Sequence, residues 1–396
     1  MRDQLRVLVI APQPFFTPRG TPFSVYYRTL VMMENGAAID LLTYGEGQDV
    51  SIPGVRMVRI PKVPGTTPVP VGPSFKKMVL DVFMVIWTIG LLIKHRYEVV
   101  HAHEESVFWC RALKPLFRFR LIYDMHSSLP QQLTNFEFSK SRLLINVFRW
   151  LEDSSLLAAD AVITICPDLR DYAMSRGVNE KRHLMIENSI FDDVKLSEQA
   201  GDGRAAQPAR MLETPPGAKI VLYAGTFEPY QGLDILLAAF AIVVKRQPAA
   251  FLLVVGGTPE QVASMQELAV TLGIADRCLL PGRVHKAEAL RLTALADVLV
   301  SPRRHGTNTP LKIYEQLASG KPLVATKIWS HTQVLTDDVC FLVDPEPAAM
   351  AEGILAALED ATRGTMAAAN AKALYEREYA RPVYERKIRH LLELVS

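Results

Sequence analysis

The chain has 396 residues, of which 49% are hydrophobic and 22% are charged, and its formal net charge is +2. This composition is that of a globular protein with a large core, and a chain of this length is expected to form two domains of about 150 to 200 residues each. The small net charge gives no indication of a nucleic acid partner, and none is expected. Four widely spaced cysteines without a C-x-x-C pair exclude a disulfide framework and a cysteine-based zinc site.

The cysteines, the start of the chain and one apolar stretch bear on localisation. The thiols are expected to be buried and reduced, and the start of the chain lacks the pattern of a signal peptide, so a cytoplasmic protein is expected. Residues 79–93 form an apolar stretch of about 15 residues, short of the roughly 20 that cross a bilayer, and Asp81 interrupts it. A buried helix is expected there rather than a membrane span.

Strand-like and helix-like runs alternate along the chain. In the first half, strands are predicted at 5–11, 39–44, 55–60, 99–102, 121–124, 161–165 and 183–187, with helices at 24–34, 75–94, 141–158 and 167–176. In the second half, strands are predicted at 220–224, 251–255, 278–280, 298–300, 322–326 and 340–343, with helices at 233–246, 260–272, 286–295, 310–319 and from 347 onward. Apolar strands that alternate with helices indicate parallel sheets covered on both faces.

The alternation is interrupted at 191–216, where Gly, Gln, Pro and charged residues indicate a linker. The prediction is therefore an α/β protein with one Rossmann-like domain at 1–190 and a second Rossmann-like domain at 217–380. Doubly wound domains bind ligands at the carboxyl ends of their strands, and here these ends are expected to face an interdomain cleft.

Residues 301–326 form the most informative segment of the chain. A strand leads into a polar loop, after which Thr309 is predicted as the N-cap and Pro310 as the first residue of a helix that stops at Gly320. The unpaired N–H groups and the dipole of a helix N-terminus attract anions, so this loop is a candidate phosphate site. Glu315 lies one and a half turns into the helix, where it could bind a ligand hydroxyl. A phosphate site beside a carboxylate indicates a nucleotide-sugar site.

Two segments of the first half are candidate site residues. Gly20, between Arg19 and Thr21, lies in the loop after the first strand, where backbone N–H groups could approach a phosphate or an acceptor; an ordinary turn is the alternative. His126 follows the strand at 121–124, where it could contact a sugar hydroxyl or serve only in packing.

The alternating pair His101 and His103 lies on one face of a strand. A metal site is conceivable there, but none is expected.

Several motifs occur in the order PQPFFTPRGTPFSV, VVHAHEES, YDMHSSLPQQL, ADAVITICPDL, IENSI, YAGTFEPYQGLDILL, VVGG and the 301–326 block. Together they resemble the retaining GT-B-fold glycosyltransferases of family 4, also called glycosyl transferases group 1, over nearly the whole chain. The resemblance implies a UDP- or GDP-sugar donor, a lipid-linked or oligosaccharide acceptor and no required cofactor. It also implies that His126 contacts the donor sugar, that Glu315 binds the ribose, and that a final helix at 381–396 packs back on the first domain.

The chain departs from the family pattern at three positions. Thr307 stands where the family has the first of two glutamates, while Thr226 and Gln231 stand where it has an arginine and a lysine that neutralise the leaving diphosphate. A diphosphate leaving group requires cationic stabilisation, so the charge is expected from elsewhere. The candidate replacements are Arg303, Arg304, Lys312 and then Arg283.

The complete prediction of site residues has three parts. His126 and Glu315 are the catalytic candidates, and Arg19, Gly20 and Thr21 form the acceptor or phosphate loop. The donor-binding set is Gly225, Thr226, Gln231, Gly256, Arg283, Val284, Arg303, Arg304, Gly306, Thr307, Asn308, Thr309, Leu311, Lys312 and Glu315.

Basic residues interleaved with aromatic residues in the first half could hold the protein on anionic lipid at the inner face of the membrane. They are Lys76, Lys77, Lys94, His95, Arg96, Arg111, Lys114, Arg118 and Arg120, near Phe117 and Phe119. Solvated helix faces are the alternative reading. Two other functions stay open at this point, a GT-B-fold nucleotide-sugar epimerase and a donor-binding protein that has lost catalysis.

Overall fold

A computed structural model describes residues 4–17, 20–70, 74–130, 142–188, 191 and 214–396. The chain divides into two compact units, Met1–Gly201 together with Arg381–Ser396, and Asp202–Ala380. Most of the segment predicted as a linker, and Arg19 of the predicted phosphate loop, lie outside the described residues.

The first unit contains a seven-stranded parallel sheet. Its strands are β1 (Arg6–Ala11), β2 (Ala38–Thr43), β3 (Val55–Arg59), β4 (Val99–His103), β5 (Arg120–Met125), β6 (Ala161–Thr164) and β7 (His183–Met185). Their order is β3-β2-β1-β4-β5-β6-β7, so the direction of winding reverses between β1 and β4. In such a sheet the ligand crevice lies at the carboxyl ends of the two strands at this switch point.

Helices cover both faces of this sheet. They are α1 (Gly20–Glu34), α2 (Phe75–Lys94), α3 (Ser106–Phe117), α4 (Arg142–Ala158), α5 (Pro167–Ser175) and the final α13 (Arg381–Val395). Side chains of α1 and α13 share one core with the sheet, and those of α2, α3 and α5 share the other. Ion pairs reinforce the packing of α13, with Arg381 3.0 Å from Glu34 and Lys387 2.6 Å from Glu187.

The second unit contains a six-stranded parallel sheet of order β10-β9-β8-β11-β12-β13. Its strands are β8 (Lys219–Ala224), β9 (Ala250–Val255), β10 (Cys278–Gly282), β11 (Val298–Ser301), β12 (Leu323–Thr326) and β13 (Phe341–Val343). Its helices are α6 (Leu233–Arg246), α7 (Pro259–Thr271), α8 (Lys286–Leu295), α9 (Leu311–Ala318), α10 (Trp329–Thr332), α11 (Pro347–Glu359) and α12 (Ala361–Glu378). The switch point lies between β8 and β11. The predicted α/β class with two Rossmann-like domains is thus confirmed.

Three local predictions are wrong. Pro310 is the N-cap of α9, with φ −66° and ψ 136°, and Leu311 is the first helical residue; the ring fixes φ but leaves ψ free to stay extended. Helix α3 is missing from the prediction because aromatic residues and Pro115 obscure its periodicity.

The third error is the expectation of a buried helix at 79–93. Helix α2 is buried on one side only, and its outer face carries large exposed apolar side chains, with Phe75 74% exposed and Ile93 73% exposed.

Among the described residues, no helix is both long and apolar enough to cross a membrane. The four cysteines are free thiols, with Cys110, Cys166 and Cys340 buried and Cys278 partly exposed.

Candidate active site

Two loops meet at the switch point of the second unit, one after β8 and one after β11. The Arg304 N–H donates to the Tyr230 carbonyl over 2.9 Å, and the Arg303 guanidinium stacks on the Tyr230 ring at 5.1 Å. Gly232 has φ +71°, and a side chain there would collide with the carbonyl of Pro302. Glycine is therefore required for the loops to approach this closely.

Lys312, in the first turn of α9, contacts Gln231, one of the two residues that stand where the family pattern has cations. Its Nζ donates to Gln231 Oε1 over 2.9 Å, and Gln231 Nε2 lies 3.4 Å from Thr226 Oγ1. The ammonium group also lies 4.4 Å from the centre of the Tyr223 ring. A cation from α9 therefore stands beside position 231, 81 residues earlier in the chain.

The surroundings of Lys312 make its charge responsive to a ligand. Burial and then the neighbouring Arg303 lower the pKa of Lys312 to about 7. An anion bound beside this group would restore its pKa and hold the ammonium form. A bound phosphate would therefore increase the positive charge of the site at neutral pH.

Arg303 is a second cation of this site, and it shapes the loop before α9. Its Nε donates to the His305 carbonyl over 2.9 Å and its Nη1 to the Asn308 carbonyl over 3.4 Å. Gly306, with φ +151°, lets the loop pass directly against the guanidinium. Arg303 thereby holds the 305–308 loop beside the N-terminus of α9.

The start of α9 supplies backbone donors and one carboxylate. The N-cap Pro310 has no side-chain cap, so the N–H groups of Leu311 and Lys312 stay available for a phosphate. Glu315 belongs to the exposed residues. The protein packed around its carboxyl raises the pKa of this group, and the nearby Lys286 acts against that rise. Thr309 Oγ1 is buried and has no hydrogen-bond partner among the described residues. These groups can bind an anion at the start of α9 and a hydroxyl one turn further along the same helix.

The other predicted donor residues differ in their placement. Gly225 and Gly256 lie at neighbouring strand ends, where the Gly225 N–H donates to Val255 and the Gly256 N–H to Gly282. Arg304 is paired with Asp234 of α6 instead of standing free for a ligand. Arg283, Val284 and Thr307 lie on nearby loops, with Arg283 and Thr307 exposed and Val284 half-buried.

The first unit contains a buried cluster of three histidines around Asp124. His101 Nε2 lies 2.9 Å from Asp124 Oδ2, and the Arg28 Nη1 of α1 lies 2.6 Å from both carboxylate oxygens. His103 Nδ1 is 3.1 Å from His126 Nε2. His126 follows β5 as expected, but its side chain is 3% exposed rather than open to solvent.

Arg28 sets the electrostatics of this cluster. Burial alone would raise the pKa of Asp124, but the Arg28 guanidinium holds it well below its usual range. Burial lowers the pKa of His126 to about 4 and that of His103 well below its ordinary value, so both rings are neutral at pH 7. His101, His103 and Asp124 offer ligand atoms within 4.8 Å of one another, but Arg28 already occupies the carboxylate. The geometry thus fits a buried ion pair flanked by imidazoles better than a metal centre.

Sequence reasoning missed a second set of charges at the β1–β4 switch point. Lys77 Nζ pairs with Glu105 over 3.0 Å, and the Tyr44 hydroxyl donates to Asp81 over 2.6 Å. Glu104 has φ +50°, and burial with the nearby Glu105 raises its pKa to about 7. The only signal in the sequence was two adjacent glutamates after a predicted strand.

Gly20 and Thr21 open α1 on the loop after β1, at the same switch point. Gly20 is thus the first residue of the helix and not, as the sequence suggests, part of the loop. Among the described residues, a Cβ added at Gly20 would meet no atom within 4 Å.

Solved structures share this fold over almost the whole chain. Sucrose-phosphate synthase from Thermosynechococcus elongatus superposes with a TM-score of 0.72 at 21% identity, covering 98% of each chain. HepE from Anabaena, in complex with UDP, gives a TM-score of 0.70 at 15% identity and covers 98% of this chain and 99% of its own.

Curated relatives are similar in sequence. Phosphatidyl-myo-inositol mannosyltransferase from Mycobacterium tuberculosis is 26% identical over 406 residues, covering 99% of this chain and 97% of the relative. D-inositol 3-phosphate glycosyltransferase from Segniliparus rotundus is 32% identical over 142 residues, covering 35% of this chain and 31% of the relative.

Two family models match the two halves of the chain. The model "Glycosyl transferase 4-like domain" matches residues 27–189, and "Glycosyl transferases group 1" matches residues 209–374. The chain therefore belongs to the GT-B-fold group 1 glycosyltransferases and is an enzyme that transfers sugars in glycan or glycolipid biosynthesis.

Proposed function

We propose that this enzyme transfers a sugar from a UDP- or GDP-sugar to a lipid-linked or oligosaccharide acceptor with retention of the anomeric configuration. The observation that carries the proposal is the contact of Lys312 with Gln231, because it supplies the cation that the substitutions at 226 and 231 remove. The start of α9 adds backbone N–H donors for the diphosphate, and the exposed Glu315 is available for the ribose hydroxyls.

In this mechanism the bond between the sugar C1 and the diphosphate oxygen breaks while the acceptor oxygen bonds to C1 on the same face. The acceptor proton passes to the departing diphosphate oxygen, so no protein base is needed. Lys312 and Arg303 stabilise the negative charge that develops on the leaving group. Preorganised cations of this kind stabilise a transition state by several kcal/mol because they need no reorganisation during the reaction.

The first unit would provide the acceptor side, with Gly20 and Thr21 at the start of α1 and His126 after β5. Burial, assisted by Arg28 and opposed by Asp124, lowers the pKa of His126 and keeps the ring neutral. A neutral imidazole can both donate and accept a hydrogen bond. The names of the mycobacterial and Segniliparus relatives indicate inositol-containing acceptors for those proteins. They support a lipid-linked or polyol acceptor here, and the comparisons do not favour an epimerase or a protein without catalysis.

The donor class can be tested by thermal shift with UDP, GDP, ADP and their common sugar conjugates. One base is expected to raise the melting temperature of the wild type by several degrees and that of Glu315→Ala much less. Glu267→Ala, an exposed glutamate on α7, is the matched control and is expected to respond as the wild type does. A nucleotide shift that is equal in all three proteins would remove Glu315 from the donor site, and no shift from any nucleotide would contradict the proposed donor class.

A further inference from the structure

The outer surface of one helical layer in the first unit is apolar. Helices α2, α3 and α4 lie side by side, linked by a hydrogen bond from Trp109 to Thr88 and by contact of Phe108 with Phe148. The exposed large apolar side chains of this layer are Phe75, Met78, Val82, Ile86, Ile93, Leu116, Val147, Trp150 and Leu157. We refer to these nine side chains as the apolar outer face.

The pattern on α2 is regular. Its exposed members follow one another at intervals of three, four, four and seven residues, which places them on a single stripe opposite the buried Leu80, Met84 and Leu91. A helix of 20 residues is about 30 Å long, so the stripe is extended rather than a local patch. Soluble proteins rarely expose an apolar surface of this extent without a partner.

The opposite layer of the same unit gives an internal comparison. Helices α1 and α13 contribute none of the exposed large apolar side chains among the described residues. Their apolar side chains, such as Tyr384 and Ile388, are buried in the core. The apolar outer face is therefore a property of one side of the unit and not of its general composition.

Exposed basic residues flank the apolar outer face, and the acids next to these helices in the chain are bonded within the protein. Glu98 accepts from the Arg6 N–H over 2.9 Å, and Asp160 pairs with Lys114. Lys94 and Arg96 at the end of α2, Arg118 after α3 and Arg149 on α4 are exposed. The acidic residues of the three helices are Asp81, Glu152 and Asp153, which are bonded to Tyr44, to Ser128 and Tyr172, and to Arg176 respectively. The Arg111 guanidinium stacks on the exposed Trp150 at 5.0 Å. Apolar side chains flanked by exposed cations, with the neighbouring acids bonded within the protein, match the interface of an anionic bilayer.

We propose that the apolar outer face of α2, α3 and α4 docks on an anionic lipid bilayer. The inference deepens the proposed function, because it names the surface by which the enzyme would reach a lipid-linked acceptor. It keeps Lys94, Arg96, Arg111 and Arg118 of the basic cluster predicted from sequence. It leaves out Lys77 and Lys114, which are engaged by Glu105 and Asp160, and Phe119, which is buried. The apolar stripe of α2 supplies the insertion, and the flanking cations supply the attraction to lipid charge.

The test is co-sedimentation of the full chain with vesicles of phosphatidylcholine alone and of phosphatidylcholine with 30% phosphatidylglycerol, a composition of roughly one anionic lipid in three. The wild type is expected to bind the anionic vesicles at least tenfold more tightly than the neutral ones. The double variant Val82→Asp, Ile86→Asp is expected to lose at least tenfold in affinity. The matched control Val270→Asp, Leu290→Asp changes two apolar side chains that are 66% and 59% exposed in the second unit, and it is expected to bind as the wild type does.

The outcomes separate this proposal from the proposed function. Nucleotide-induced thermal shifts measured on the same variants report whether the donor site is intact, whatever the vesicles do. Equal vesicle binding by the wild type and the α2 variant would overturn the docking surface. If the wild type does not bind vesicles and forms a dimer that the α2 substitutions dissociate, the membrane proposal is overturned. The apolar outer face would then bind a second copy of the chain.

Discussion

At the scale of single residues, Lys312 is the position on which the donor site depends. Its pKa of about 7 in the free protein means that the ammonium form is lost as the pH rises above 7. We expect the affinity for the diphosphate to fall by up to about tenfold per pH unit above 7, while the affinity for the monophosphate changes little. Lys312→Arg should abolish this dependence because arginine stays protonated. Isothermal titration calorimetry between pH 6.5 and 9 measures the diphosphate affinity of the wild type and of Lys312→Arg. If the two affinities change with pH in the same way, Lys312 is not the group that titrates.

The histidine cluster leads to a second prediction for a single residue. His126 titrates near 4 in the folded protein and near 6.5 when unfolded, so the unfolded chain binds more protons between these values. Stability should therefore decrease as the pH falls through this window, by roughly 3 kcal/mol from His126 alone. Denaturant unfolding at pH 7 and pH 4.5 tests this, with His126→Asn as the comparison. An equal loss of stability in the wild type and the variant would contradict the assignment.

At the scale of elements, the approach of the two donor loops depends on Gly232. Alanine there would have to adopt φ +71° and would collide with the Pro302 carbonyl. Gly273 has φ +70° but open space around it, so Gly273→Ala isolates the cost of the backbone conformation, about 1 kcal/mol. Gly232→Ala is expected to lower the free energy of unfolding by more than Gly273→Ala does. Gly232→Ala should also weaken nucleotide binding, whereas Gly273→Ala should leave it unchanged. Equal costs would show that the loops do not pack as described.

Element prediction from sequence succeeded where the boundaries were clear. The helices at 75–94, 233–246 and 286–295 agree with the structure at both ends, and each follows an N-cap residue, Ser74, Gly232 or His285. The sequence does not show which side of α2 is exposed to solvent. Both sides of the helix carry apolar residues, so the pattern does not indicate which side packs against the protein core. The start of α9 was displaced by one residue, since proline is compatible with both the N-cap and the first helical position.

At the scale of the whole molecule, the sequence could indicate the fold and the site region but not the contacts within it. Lys312 was one of four candidate cations, and only the packing of α9 against the loop after β8 places it on Gln231. No sequence pattern indicates the role of Arg28. It lies inside an amphipathic helix, and its partner Asp124 is 96 residues further along the chain. Interactions across such distances depend on tertiary packing, which local patterns do not encode.

We propose that Lys312 replaces the missing cations of the diphosphate site, and moving its charge to position 231 tests this role. Calorimetry would compare nucleoside diphosphate and monophosphate binding in the wild type, in Lys312→Gln and in the double variant Gln231→Lys, Lys312→Gln. A charged hydrogen bond to phosphate contributes about 1.5 to 3 kcal/mol, so Lys312→Gln should lose about tenfold or more of the preference for the diphosphate.

The double variant should regain most of that preference, because it returns a lysine to the position where the family carries one. Arg304→Gln, on the same loop but paired with Asp234, is the control and should keep the wild-type preference. A wild-type preference for the diphosphate that survives in Lys312→Gln would contradict the account.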